Sequence, residues 1–394
     1  MSVRYVILGG LSLLVLALAG FGVWVFSLPM PRGAEAQPVP QTEADALLAS
    51  LKPPKRERPL IAVVGINDAT ETNDYLMTTG ILRRADVADV VMLTTGQGPV
   101  RLYPALTVEA DGTIADFDAR HPEGADYVIV PAMSRDDDPA VLAWLRDQAE
   151  KGAMIIGVCA GAKIVATAGL LEGRHATTHW YYRKEMLSRH PSITYVANRR
   201  MVADGNVVTT TGITAAIPAM LTLIEAIAGR GKAEAVARGL GVLQWDARHA
   251  SDAFAFTRPF ATTVLGNVLA FWNREQVGIE LTPGMDEVSL ALVADAWSRT
   301  YRSKAVSFAT SSAAIESRNG IRLIPDDLAS NRQHKPRVSL FPDRAPAGAL
   351  DQSLAAIEAR YGGGTADIVA MQLEYPRSRR GENDARVGQH RGDR

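Results

Sequence analysis

Between Met154 and Gly161 the chain reads Met-Ile-Ile-Gly-Val-Cys-Ala-Gly, which leaves no room for a loop between an apolar strand and the helix expected at 160–168. Gly157 and Gly161 stand two positions either side of Cys159. Small residues there let a strand turn sharply into a helix, and the middle side chain is pushed out at the carboxyl end of a sheet. At the amino end of a helix the partial positive charge of the dipole favours a thiolate. A cysteine in apolar company can also be an inert core residue. The paired glycines and the strand-to-helix switch favour a reactive thiol at Cys159.

Around this point strands and helices alternate. Apolar β-branched runs predict strands at 60–64, 87–93, 127–131, 154–159 and 207–210. Helical spacing predicts helices at 74–85, 140–151, 160–168 and 215–228. Such alternation predicts an open parallel sheet covered on both faces, an α/β fold.

The segments Gly157-Val158-Cys159-Ala160-Gly161-Ala162-Lys163, Ala168-Gly169-Leu170-Leu171-Glu172-Gly173-Arg174 and Ala176-Thr177-Thr178-His179-Trp180 resemble the ThiJ/PfpI (DJ-one-like) family, within the class I glutamine amidotransferase-like superfamily. The resemblance covers about 58–230. It is nearest to isocyanide hydratases and to the amino-terminal domains of some AraC-type regulators. It implies a flavodoxin-like parallel-sheet sandwich, a cysteine nucleophile and an acid hydrogen-bonded to it. Cys159 takes the place of the nucleophile, Asp74 that of the acid, and His179 that of the histidine in the family's TTH segment. Met77-Thr78 replaces the family's Gly-Pro, which leaves Glu71 as a second acid, and Pro131-Ala132-Met133 replaces its Pro-Gly-Gly loop. Physically, a protonated carboxyl can donate to sulfur, and an imidazole can move a proton near neutral pH. The N–H of Ala160 is aimed at the oxyanion of an attacked carbon. Two functions are compatible with this: a cysteine-dependent hydratase or hydrolase acting on a small electrophile, and a non-catalytic ligand- or redox-sensing module.

From Tyr5 to Phe26 no residue is charged. Twenty-two helical residues rise about 30 Å, the thickness of a bilayer core. The expectation is a single-pass anchor at 1–30, with the body outside the cytoplasm; Ala34-Glu35-Ala36 offers a signal cleavage site as the alternative. Residues 31–57 read as a linker and 377–394 as a disordered tail. A formal charge of −1 gives no footprint for nucleic acid, and one cysteine excludes disulfides and multi-cysteine zinc sites. No metal or cofactor is expected. The seven histidines lack ligand spacing, Gly231-Lys232 has Ala226 and Ala233 where a phosphate loop needs Gly and Ser/Thr, and Asp136-Asp137-Asp138 reads as a solvated loop.

The region 231–376 repeats part of what precedes it. A strand at 277–281, a helix at 286–297, a strand at 305–309 and the ribbon 320–326 follow the order seen over 60–111, without a cysteine. A helix at 350–361 and a strand at 366–371 close it. The expectation is a degenerate second α/β half serving as an internal pseudo-dimer partner, with a homodimer as the other possibility. An AraC-type DNA-binding module would instead need two helix-turn-helix units here.

Overall fold

The computed structural model describes residues 13, 15, 16, 19–33, 35–53 and 55–377. Its main sheet is built from β1 (Leu60–Gly65), β3 (Asp89–Thr94), β6 (Gly112–Thr113), β7 (Tyr127–Val130), β8 (Met154–Gly157), β9 (Met201–Asp204) and β10 (Val207–Thr210). The spatial order is β9-β10-β8-β7-β1-β3-β6. Every pairing is parallel except β9 with β10. Alternate residues of β1 enter different cores. Ile61 and Val63 pack on one face, while Leu60, Ala62 and Val64 pack on the other. That is why its six residues are all buried and all apolar or glycine.

β2 (Asp68–Glu71), β4 (Val100–Tyr103) and β5 (Thr107–Val108) lie outside this sheet, and the helix α1 (Thr78–Ala85) enters through a π-turn at Asn73–Met77. The remaining helices of the first half used below are α2 (Pro139–Glu150), α3 (Gly161–Thr167) and α4 (Ala216–Ala228). The second half contributes α5 (Arg258–Leu269), β11 (Glu275–Glu280), α6 (Glu287–Ser298), β12 (Ser303–Ala309), β13 (Ile315–Glu316), β14 (Arg322–Leu323), β15 (Asp327–Leu328), α7 (Ala349–Tyr361) and α8 (Gly363–Gln372).

The order β11-β12-β15, parallel throughout, has the same form as β1-β3-β6. The antiparallel pair β13-β14 has the same form as β4-β5. The two ribbons join where Leu323 of β14 pairs antiparallel with Val108 of β5, giving one sheet in the order β13-β14-β5-β4-β2. Helix α6 packs against the π-turn and α1. Asn73 Nδ2 donates to Asp295, and Arg84 pairs with Asp286. Contact between the helices is close enough that a Cβ on Gly80 would lie 2.3 Å from Glu287 Cγ. Apolar residues of both halves belong to one core, with Ile81 and Leu82 beside Leu290 and Val293.

Two expectations differ from the structure, and a third finds no support in it. Residues 366–371 are helical, within α8, because Ala366, Ile368, Val369 and Ala370 all face the core and a short apolar run has no period to separate buried helix from strand. The 31–57 segment is not a bare linker. Gln41–Ser50 is helical, Leu51 is buried, and Lys55 and Arg56 donate backbone N–H groups to Asp126. Among the described residues no helix is long and apolar enough to cross a membrane. Residues 19–27 are helical, and much of the apolar run, with the tail from 378, lies outside the described residues.

Sharing one core makes the two halves fold together. Leu290→Ala should cost about 2–5 kcal/mol, the usual range for a core leucine. Denaturant unfolding of the full chain should remain a single transition at a lower midpoint. A biphasic curve with the first half's transition unmoved would contradict the shared core.

Candidate active site

Cys159 follows β8 and precedes α3 with φ at 58°, the left-handed region that costs a non-glycine residue energy. Its neighbours hold it there. Its N–H donates to Thr210 Oγ1 at 3.1 Å, and its carbonyl accepts from Thr178 Oγ1 at 3.1 Å. The turn demands Gly161, where a Cβ would sit 1.9 Å from the Val130 carbonyl oxygen. The glycine signal in the sequence thus marks a real close approach between α3 and the end of β7.

Cys159 lines a cavity of about 530 Å³, with Glu71, Tyr103, His179, Phe260 and Arg299. A larger groove of about 650 Å³ along Asp351–Arg377 holds neither the cysteine nor its acids. Cys159 is only 3% exposed. Burial pushes its thiol well above the ordinary value, and Asp74 and then Glu71 push it further, while the Ala160 N–H works the other way. The expectation of a resting thiolate is therefore corrected: desolvation and two carboxyls outweigh the helix terminus.

Both acids considered from sequence are buried near Cys159, but among the described residues neither is hydrogen-bonded to its sulfur, and only Glu71 lines the cavity. Asp74, in the π-turn, is buried and its pKa is raised to about 7, chiefly by desolvation. Its Oδ2 accepts from Ala132 N at 3.1 Å, and Oδ1 has no hydrogen-bond partner among the described residues. Glu71, at the end of β2, is raised well above the usual carboxyl range by burial and by Asp74 and Asp295. Its Oε2 accepts from Asp74 N at 2.7 Å and its Oε1 from Arg299 at 2.9 Å.

His179 also lines the cavity, and both its ring nitrogens meet backbone groups. Nε2 lies 2.9 Å from the Gln372 carbonyl, and Nδ1 accepts from Tyr181 N at 3.2 Å. That pattern fixes one neutral tautomer, and burial lowers its pKa. The N–H of Ala132, in the loop expected to bind an oxyanion, is taken by Asp74. The Ala160 N–H faces the sulfur instead, beside the same cavity.

Sequence reasoning missed Arg299 and Glu374, both from the second half. Arg299 binds Asp295 at 2.5 Å as well as Glu71. Burial opposes its charge, but Asp295 and Glu71 more than offset this and raise its pKa. Glu374 is buried and accepts from Trp180 N at 2.6 Å and Gly212 N at 2.7 Å, tying the end of α8 to the loop after His179. An i,i+4 Asp–Arg pair reads as surface decoration in sequence, so nothing marked Arg299 out. Among the described residues no cluster could hold a metal ion.

Residues 61–226 match the DJ-1/PfpI family. Over 149 residues the chain is 35% identical to an isonitrile hydratase of Pseudomonas putida, covering 38% of this chain and 60% of that protein. It is 32% identical over 143 residues to the HTH-type transcriptional regulator CdhR of Pseudomonas aeruginosa, covering 36% of this chain and 41% of the regulator. The matched stretch thus spans less than two thirds of either relative. Among solved structures, Drosophila melanogaster DJ-1beta aligns with a TM-score of 0.43 at 24% identity, over 48% of this chain and all of that one. Residues 61–226 of this chain are thus similar to the DJ-1/PfpI family, and a second half follows that supplies part of the cavity wall.

Proposed function

We propose that this protein is a cysteine-dependent hydratase or hydrolase acting on a small electrophilic carbon, of which an isonitrile is the first candidate. The observation that carries the reading is the left-handed Cys159 on the cavity wall, with Asp74 near it poised at about pH 7. Asp74 accepts the thiol proton on Oδ1 as the sulfur adds to the terminal carbon of R–NC. The same proton passes to that carbon, giving a thioimidate. Water adds to it, the carbon–sulfur bond breaks, and the thiol is restored. The net change is R–NC plus water giving R–NH–CHO, with no oxidant or reductant consumed.

Two further parts belong to this reading. The second half acts as an internal partner, with its repeated strand order and Arg299 in the cavity wall in support. The uncharged run 5–26 anchors the chain in a membrane with its body outside the cytoplasm; exposed Leu13, Leu16, Val23 and Phe26 support anchorage. A ligand-binding module without turnover is the second reading, favoured by the backbone contacts on both nitrogens of His179. Redox sensing is disfavoured, since oxidation follows thiolate character and exposure and this thiol is buried and raised.

Cys159→Ala should abolish formamide production from an alkyl isonitrile while leaving the fold intact. Undiminished turnover, or none in the parent protein with isonitriles, nitriles or esters, would overturn the enzymatic reading. Asp74→Asn should lower turnover by about 10²–10⁴-fold, the range for losing a proton-transfer group. Because Asp74 raises the thiol pKa, the same variant should shift the pH midpoint of iodoacetamide labelling downward. An upward shift would mean that Asp74 does not face the sulfur.

Arg299→Met leaves Glu71 and Asp295 buried without their cation and should destabilise by about 3–5 kcal/mol at pH 8. Glu71, already raised in the parent, then has a folded pKa still further above its unfolded one, so folding favours its protonated form. The loss should shrink toward pH 5 in denaturant titrations. A loss independent of pH would place the effect in packing alone.

A further inference from the structure

Helix α5 carries apolar residues on its outer as well as its inner side. Its buried side carries Asn267, which donates to the Thr300 carbonyl at 2.9 Å and to Thr365 Oγ1 at 3.1 Å. Its outer side carries Leu265, Val268 and Leu269, followed by Phe271 and Trp272. Leu269, Phe271 and Trp272 are 57%, 65% and 69% exposed. From Pro259 to Asn273 there is no charged residue, and Arg258 and Arg274 bracket the stretch. An apolar helix face next to exposed aromatic rings, with cations only at its ends, is suited to the bilayer interface, where tryptophan and phenylalanine sit between acyl chains and headgroups.

The start of α5 is joined to the end of the uncharged amino-terminal run. Arg258 N–H donates to the Pro29 carbonyl at 2.9 Å, and its guanidinium donates to the Phe26 carbonyl and lies 5.0 Å from the Phe26 ring. Trp24 lies 6.1 Å from Phe256, centroid to centroid. Where the run leaves a bilayer, α5 therefore begins. The inner side of the same helix lines the Cys159 cavity through Phe260 and Val264, and Phe256 lines it just before the helix.

We infer that α5 and Phe271–Trp272 lie in the headgroup layer of the membrane that holds residues 5–26, so that the cavity opens beside the bilayer surface. The inference rests on the anchored reading above. Its occupant is lipid, because the exposed apolar face continues from a segment with bilayer length and composition.

The test uses the full chain in vesicles of phosphatidylcholine and phosphatidylglycerol, with acyl chains brominated near the headgroup as a tryptophan quencher. Trp24→Phe removes the tryptophan of the anchor itself. In that background Trp272 emission should fall in brominated vesicles relative to plain ones, and a Trp24→Phe/Trp272→Phe protein should lose that fall. Leu265→Asp/Leu269→Asp should weaken the quenching while the protein still floats with the vesicles. Flotation without Trp272 quenching would overturn this inference and leave the anchor standing. Failure to float would overturn both. A lipid-independent dimer dissolved by Leu265→Asp/Leu269→Asp would assign the face to a second copy instead.

Discussion

Three carboxyls, Glu71, Asp74 and Asp295, are buried around one guanidinium, that of Arg299. Ionising all three would leave uncompensated negative charge in a low dielectric, where such charge is expelled by taking up protons. Arg299 is held to Asp295 at 2.5 Å and to Glu71 at 2.9 Å, so its compensation goes mainly to those two. Asp74 has no direct bond to it and lies near its titration point at neutral pH. This imbalance of charge leaves Asp74 as the carboxyl of the cluster without a cation of its own.

The cluster spans both halves of the chain, and this explains why the second half is more than a cover. Helix α6 supplies Asp295, and Arg299 follows it; the π-turn supplies Asp74, and β2 supplies Glu71. The Asn73–Asp295 hydrogen bond and the close approach of Gly80 to Glu287 tie the two halves together at this point. Were the second half a separate molecule, each encounter would have to form this charged contact by diffusion. Joining the halves covalently makes it intramolecular, with a high effective concentration. An interface of buried charges, weak as a source of net stability, can then persist on geometry.

Much of the first half was legible because its signals are local. Strand β1 is a run of apolar residues with no polar alternate, and the elbow is spelled by Gly157, Cys159 and Gly161 within five positions. Asp74 and Glu71 were readable as acids close in sequence, and both lie in the site. What was not legible is set by distance or by competition between terms. Arg299 enters from 140 positions beyond Cys159, carrying no mark but an ordinary i,i+4 pairing. Residues 366–371 hold β-branched and small side chains that satisfy either buried structure, and only packing against α7 and α5 decides for helix. Leu51 and Asp126 pull the start of the body back into the linker, which composition alone described as polar tether.

The protonation of Cys159 shows how magnitude decides between two correct arguments. A helix amino terminus is worth about 0.3–1 kcal/mol to an anion, less than one pKa unit at about 1.4 kcal/mol each. Full burial can move a titrating group by about 3–5 units in the other direction. The seven residues of α3 are therefore outweighed once the sulfur is 3% exposed and faces two carboxyls. Burial and the two carboxyls therefore favour the protonated thiol at Cys159. Thr210 and Thr178 hold Cys159 at its strained φ of 58°, on the wall of the cavity.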